Sequence, residues 1–77
     1  MVRAYVLVEM TAGYSRTLAD ALTKSSFITD VDRATGPYDV IAVVEAYDVN
    51  EISKIVSAEI HTVPGVTRTT TCVALGG

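Results

Sequence analysis

The sequence predicts a single α+β domain built in the order β-α-β-β-α-β. Three observations carry that expectation. Two apolar runs, Tyr5-Val6-Leu7-Val8-Glu9 and Ile41-Ala42-Val43-Val44-Glu45, share one pattern and both end on a carboxylate. Each run leads into a stretch with helical spacing and then into a second β-rich stretch. The chain has 77 residues, too few for two cores, so residues 1–77 are read as one domain.

The elements follow in order. Val2 to Met10 carries β-branched and aromatic residues and is bounded by Thr11-Ala12-Gly13, which marks a strand and its end. Ser15 is the expected N-cap of a helix running to about Lys24. Leu18, Ala21 and Leu22 give it an apolar stripe, and Arg16, Asp20 and Lys24 a solvated charged face. Ile28 to Ala34 is a more polar strand, stopped by Thr35-Gly36-Pro37. Tyr38 to Ala46 is the strongest strand. Asp48 caps a second helix, with Glu51 three residues on in a capping-box arrangement. Val49, Ile52, Ile55, Val56 and Ile60 supply its apolar face, and Pro64-Gly65 ends it. Val66 to Leu75 forms the last strand. Two interleaved right-handed βαβ units of this kind give the split, ferredoxin-like antiparallel sheet with both helices on one face.

Such a sheet should alternate apolar and polar residues, because its other face meets water. The inner strands do not alternate. Val40, Ala42 and Val44 share one face and Ile41 with Val43 the other, while Val6 and Val8 oppose Tyr5 and Leu7. Two helices cannot cover both faces, so a second subunit's sheet is the expected cover. Alternation alone leaves open which face meets which cover. The face with Tyr5, Leu7, Ile41 and Val43 is assigned to the subunit contact, as in dimeric α/β barrels.

Composition points the same way. Hydrophobic residues make up 49% and charged residues 19%, which argues against disorder. With one Cys and one His, the chain offers neither an internal disulfide nor a metal cluster, so association is the remaining route to stability. No metal and no cofactor are expected. No apolar run reaches the length of a membrane span, the start lacks the pattern of a secretory signal, and a single thiol suits the cytoplasm. The net charge is −3 with scattered Lys and Arg, which argues against direct binding of nucleic acid.

Candidates for chemistry are few. His61, alone at a helix C-terminus, reads as a dipole partner. Cys72 reads as a small buried hydrophobe. Glu9 and Glu45 occupy pseudo-symmetric positions that need no catalytic explanation. Phosphate loops, metal motifs and nucleophile elbows are absent, so no catalytic residue is assigned. The turn Gly36-Pro37-Tyr38-Asp39 offers more. Gly and Pro serve geometry, but Tyr38 adds a flat apolar surface and Asp39 a carboxylate suited to an ammonium group or to nearby N–H groups. Thr67-Arg68-Thr69-Thr70-Thr71 reads first as a β-rich edge and second as hydroxyls plus a guanidinium able to hold a carboxylate.

Ala34-Thr35-Gly36-Pro37-Tyr38-Asp39-Val40-Ile41, a helix, and then Val63-Pro64-Gly65-Val66-Thr67-Arg68-Thr69-Thr70-Thr71 resemble the effector-binding (RAM) domain of the Lrp/AsnC transcriptional regulators. That family shows a G-x-Y-D turn and a later P-G-V-x-x-T segment at this separation. The resemblance spans nearly the whole chain, including Ala4-Tyr5-Val6-Leu7-Val8. It implies sheet-to-sheet dimers, dimers assembled into rings, and small effectors, commonly amino acids, held near the turn. Gly36, Tyr38 and Asp39 match the family's turn, and Thr69, Thr71 and Arg68 are further ligand-binding candidates. The chain starts at the first effector-domain strand, so it resembles a stand-alone domain that acts through a full-length Lrp/AsnC partner. The expected function is an amino-acid-binding, homo-oligomeric regulatory module, not an enzyme.

Two alternatives are carried beside it. An ACT-type amino-acid sensor shares the topology and would use the loop Thr11-Ala12-Gly13-Tyr14. A small dimeric α/β-barrel enzyme, of monooxygenase or isomerase type, would need several polar side chains converging on a cavity.

Overall fold

Side-chain alternation across the inner strands decides which residues enter the core, and the computed structural model, which describes residues 1–11 and 13–75, follows that alternation. The elements are β1 (Val2–Met10), α1 (Ser15–Leu22), β2 (Ile28–Arg33), β3 (Val40–Ala46), α2 (Val49–Ile55) and β4 (Val66–Val73). The four strands form one sheet in the order β2-β3-β1-β4, antiparallel at every pairing. This is the predicted ferredoxin-like arrangement.

On one face of the sheet, Ala4, Val6 and Val8 of β1 lie opposite Val44, Ala42 and Val40 of β3, and all six are fully buried. Leu18 and Leu22 of α1 and Ile52 and Ile55 of α2 close over them, and no polar side chain is buried among the described residues. Both helices are short, eight and seven residues, so this packing rather than intrinsic propensity holds them. The second face carries Tyr5, Leu7, Ile41 and Val43, paired as Tyr5–Val43 and Leu7–Ile41 and only partly covered. The helix-facing and open faces are therefore the ones assigned from the sequence.

Helix ends depart from expectation. Ser15 is already helical, and the cap position falls to Tyr14, which makes no side-chain capping bond. The helix stops at Leu22, where Thr23 donates through its hydroxyl to the Asp20 carbonyl. Ala21 is exposed rather than part of the apolar stripe, because the sheet lies on the Leu18–Leu22 side. Asp48 does cap α2: its Oδ1 accepts from the Glu51 N–H at 2.8 Å. Val49 points outward and is 52% exposed, since the first turn overhangs the sheet. Beyond Ile55 the helix widens into a π-helical turn over Val56–Ile60, where the His61 N–H donates to the Val56 carbonyl at 3.0 Å. Val56 and Ile60 stay in the core through that widening. The strands are slightly shorter than predicted, with Ala34, Tyr38, Asp39, Ala74 and Leu75 outside them. No helix is long and apolar enough to cross a membrane among the described residues.

Candidate functional site

The turn between β2 and β3 needs a residue with positive φ, and Gly36 supplies it at +117°. Nothing stands close to where a Cβ would sit, so the constraint there is conformational rather than steric. Two residues on, the chain enters β3 through Tyr38 and Asp39, both partly buried.

Asp39 is a junction of three strands. Its N–H donates to the Val8 carbonyl of β1 at 2.8 Å, and its carbonyl accepts from the Ala34 N–H, just past β2, at 2.9 Å. Its carboxylate Oδ2 accepts from the Met10 N–H at 2.8 Å. The physical reason is that β3 regular pairing starts only at Val40, opposite Val8. The Met10 N–H, farther along β1, would otherwise lack a strand partner, and the carboxylate takes that place. Oδ1 has no hydrogen bond among the described residues.

The β4 candidates divide between the two faces of the sheet. Arg68 pairs with Glu9 of β1, on the open face, and its guanidinium Nε lies 4.0 Å from the Glu9 carboxylate. The Arg68 side chain is 76% exposed, so the ion pair adds little stability. Thr69 and Thr71 lie opposite Val8 and Val6 and therefore on the helix-facing side. Thr69 Oγ1 is 2.8 Å from His61 Nε2 at the end of the π-helical turn. Thus Asp39 and the β4 group flank the end of β1 from opposite sides, two strand spacings or roughly 10 Å apart. One protomer brings Gly36, Tyr38 and Asp39 together, but it does not converge Arg68, Thr69 and Thr71 on the same point.

Other residues acquire roles that spacing did not reveal. The Tyr14 ring lies over Gly65, where a Cβ would come within 2.6 Å of the ring. Gly65 also has φ of +94°, and its carbonyl accepts from the Thr11 N–H at 2.8 Å. Glu45 receives both Nε and Nη2 of Arg3, at 2.9 and 2.7 Å. That hydrogen bond, with a smaller contribution from Tyr5, raises the Arg3 pKa above its usual value. The matched carboxylates Glu9 and Glu45 therefore each take an arginine, one at either end of the open apolar face. Cys72 is exposed, contrary to expectation, because it falls opposite Tyr5 on that same face. Of the loop Thr11-Ala12-Gly13-Tyr14, Ala12 lies outside the described residues.

Two open hollows lie away from the turn. One, of about 470 Å³, is lined by Arg3, Tyr5, Glu45 and Leu75 among others at the far end of the open face. The other, of about 600 Å³, runs between α1 and β2 past Arg16, Asp20, Asp32 and Arg33. Neither includes Asp39. No group of three or more metal-binding side chains occurs among the described residues.

Comparison with known proteins gives these features a context. The family model described as the Lrp/AsnC ligand binding domain matches residues 3–76. TTHA0845 of Thermus thermophilus is 32% identical, with 100% of this chain and 96% of that one aligned at a TM-score of 0.93. AsnC of E. coli is 17% identical over 99% of this chain and 52% of its own, with a TM-score of 0.90. A transcriptional regulator of Neisseria meningitidis, solved as a complex with L-Met, is 21% identical over 97% of this chain and 50% of its own, at 0.85. No curated protein matches the chain.

Proposed function

Since the chain belongs to the Lrp/AsnC ligand-binding domain family, we propose that it is an oligomeric regulatory module whose effector is an amino acid or a similar small metabolite. The family match over residues 3–76 carries this reading. The geometry supports it in chemical terms. A zwitterion needs an acceptor for its ammonium and donors for its carboxylate. Asp39 holds one carboxylate oxygen on the Met10 N–H, which fixes its position and leaves Oδ1 for an ammonium. Gly36 brings the backbone to the surface beside it, and Tyr38 adds an aromatic wall.

Donors for the effector's carboxylate are Arg68, Thr69 and Thr71. They stand across β1 from Asp39 and on two faces, so the site is completed between protomers: one subunit brings the turn and another brings β4. The open face with Tyr5, Leu7, Ile41 and Val43 is covered by a second copy. The module then acts on transcription by co-assembling with a full-length Lrp/AsnC regulator, without contacting DNA itself. Residues 1–77 act as one domain, in the cytoplasm, with no catalytic group.

Titration calorimetry of the chain against a panel of the common amino acids, with sedimentation in parallel, tests the reading. Saturable binding of at least one amino acid to an oligomer is the expected result. A monomer that binds none of the panel overturns it.

A further inference from the structure

Three threonine hydroxyls between the π-helical turn and the middle of β4 are bonded in two different ways. Thr62 donates through Oγ1 to the Ala58 carbonyl at 2.8 Å and Thr67 to the Glu9 carbonyl at 3.0 Å, so both protons are committed to backbone. Thr69 Oγ1 instead meets His61 Nε2 at 2.8 Å. A carbonyl only accepts, whereas a ring nitrogen donates or accepts according to where the imidazole proton sits. With the proton on Nε2, the ring donates to Oγ1 and the Thr69 O–H is left for a third group. With Nε2 bare, the hydroxyl spends its proton on the ring and presents lone pairs only.

The π-helical turn sets where this ring falls. The His61 N–H bonds to the carbonyl of Val56, five residues back rather than four, and widened turns of this kind recur at functional sites. No carboxylate holds the ring among the described residues. Glu59, two residues before it, faces another side of the turn. Glu51 and Lys54 of α2 lie about 10 Å or more back along the helix. Arg16 and Asp20 of α1 line the hollow against β2, and Arg68 and Glu9 stand on the opposite face of the sheet. Thr69 is therefore the polar partner that His61 acts on.

We infer that His61 is a positioning residue of the effector site: its Nε2–H donates to Thr69 Oγ1 and so turns the Thr69 hydroxyl into a donor for the effector's carboxylate. This role rests on the proposed effector reading and deepens it, because it says which end of a zwitterion β4 takes. Thr71 is exposed two residues on along the same face. Side chains at that spacing stand about 6.6–6.8 Å apart, a span that one carboxylate bridges when each oxygen accepts a hydroxyl at about 2.7 Å. A carboxylate offers acceptors alone, so it selects the ring with Nε2 protonated, whereas an ammonium would select the reverse. The imidazolium is the stronger donor of the two Nε2–H forms. The effector is therefore held tightest with His61 charged, and affinity falls as pH rises through the histidine range.

Calorimetry with the common amino acids as probes, at about pH 5 and about pH 8, tests this on the native chain and on His61→Ala and His61→Gln. For the amino acid that the native chain binds, His61→Ala should bind roughly 3- to 10-fold more weakly, with sedimentation and melting unchanged. His61→Gln offers an amide N–H in place of Nε2–H and cannot take up a proton. It should keep most of the affinity and lose the pH dependence. Native affinity should fall roughly twofold or more from the lower pH to the higher. In a Thr69→Val background, His61→Ala should cause no further loss. Native affinity and pH profile in His61→Ala, or the same loss in the Thr69→Val background, overturns the positioning role and leaves effector binding standing. A native chain that binds none of the amino acids overturns both.

Discussion

Replacing Asp39 separates bracing from binding, because two substitutions remove different parts of what it does. Asp39→Ala keeps the backbone bonds to Val8 and Ala34 but leaves the Met10 N–H without its 2.8 Å acceptor in a partly buried position. A hydrogen bond to a charged acceptor contributes about 1.5–3 kcal/mol. At about 4–8 °C per kcal/mol for a domain of this size, Asp39→Ala should lower Tm by roughly 6–24 °C at fixed protein concentration. Asp39→Asn keeps a side-chain oxygen for the Met10 N–H and removes only the charge. Its Tm should fall much less. Effector binding should respond differently. A charge-assisted bond in a desolvated site carries about 2–5 kcal/mol, so both variants should bind the effector roughly 30-fold or more weakly, at about 1.4 kcal/mol per decade. Calorimetry on both variants, with melting and sedimentation on the same samples, reads the two roles separately. If Asp39→Asn stays assembled and binds with native affinity, the carboxylate does not hold the ammonium and the site assignment is refuted. If Asp39→Ala melts with the native protein, the bracing role is refuted instead.

Three further outcomes follow from the same geometry. Gly65→Ala forces a positive φ on an L side chain, at about 1–2 kcal/mol, and drives a methyl into the Tyr14 ring, so a loss of roughly 2–4 kcal/mol is expected in urea melts. Combining it with Tyr14→Ala should relieve the overlap but not the backbone term, and strict additivity of the two losses would contradict that account. Ile41→Asp places an unpaired charge at the centre of the open face opposite Leu7, and should dissociate or unfold the oligomer. A native-sized, folded Ile41→Asp assembly would show that this face is not an interface. Finally, with net charge −3 and scattered cations, the chain should give no salt-dependent shift of duplex DNA in gels. Tight binding that weakens steeply with salt would contradict the non-DNA reading.

Local pattern determined much of this protein. Periodicity and turn residues specified all six elements and their order, because a strand with residues of period two and a helix with period near 3.6 need different spacing of the same apolar set. The lack of polar alternation in Val6, Leu7, Val8 and Val40 through Val44 marked both faces of the inner strands as apolar before any packing was known. The Asp48 cap was legible because it depends on residues three apart. The features that escaped sequence reasoning depend on contacts between distant segments. Tyr14, whose ring lies against the distant Gly65, holds the cap position expected of Ser15 and makes no side-chain capping bond there. Ala21 and Val49 have helical spacing but point away from the sheet, since the width of the covered stripe is decided by what lies beneath it. Cys72 is exposed because the β1–β4 register puts it opposite Tyr5.

The same distinction governs the candidate site. The turn Gly36-Pro37-Tyr38-Asp39 stood out by its residue types, since a glycine and a proline fix a bend and a carboxylate beside them is surplus to it, but residue types alone favoured a structural turn and the resemblance to the Lrp/AsnC effector domain made it a ligand-site candidate. That the carboxylate replaces a missing strand partner for Met10, 29 residues away, required the pairing of β1 with β3. Alternation already set Arg68 on the face opposite Thr69 and Thr71, but which of those faces lies under the helices depended on the register of β4 on β1, since a one-residue difference exchanges the two faces of a strand. The amino-acid sequence thus determined the elements and the apolar surfaces, which are set by short-range periodicity. The tertiary structure alone decided which residues of different strands stand opposite one another and which backbone groups remain unpaired, because register is a relation between strands that lie far apart in the chain.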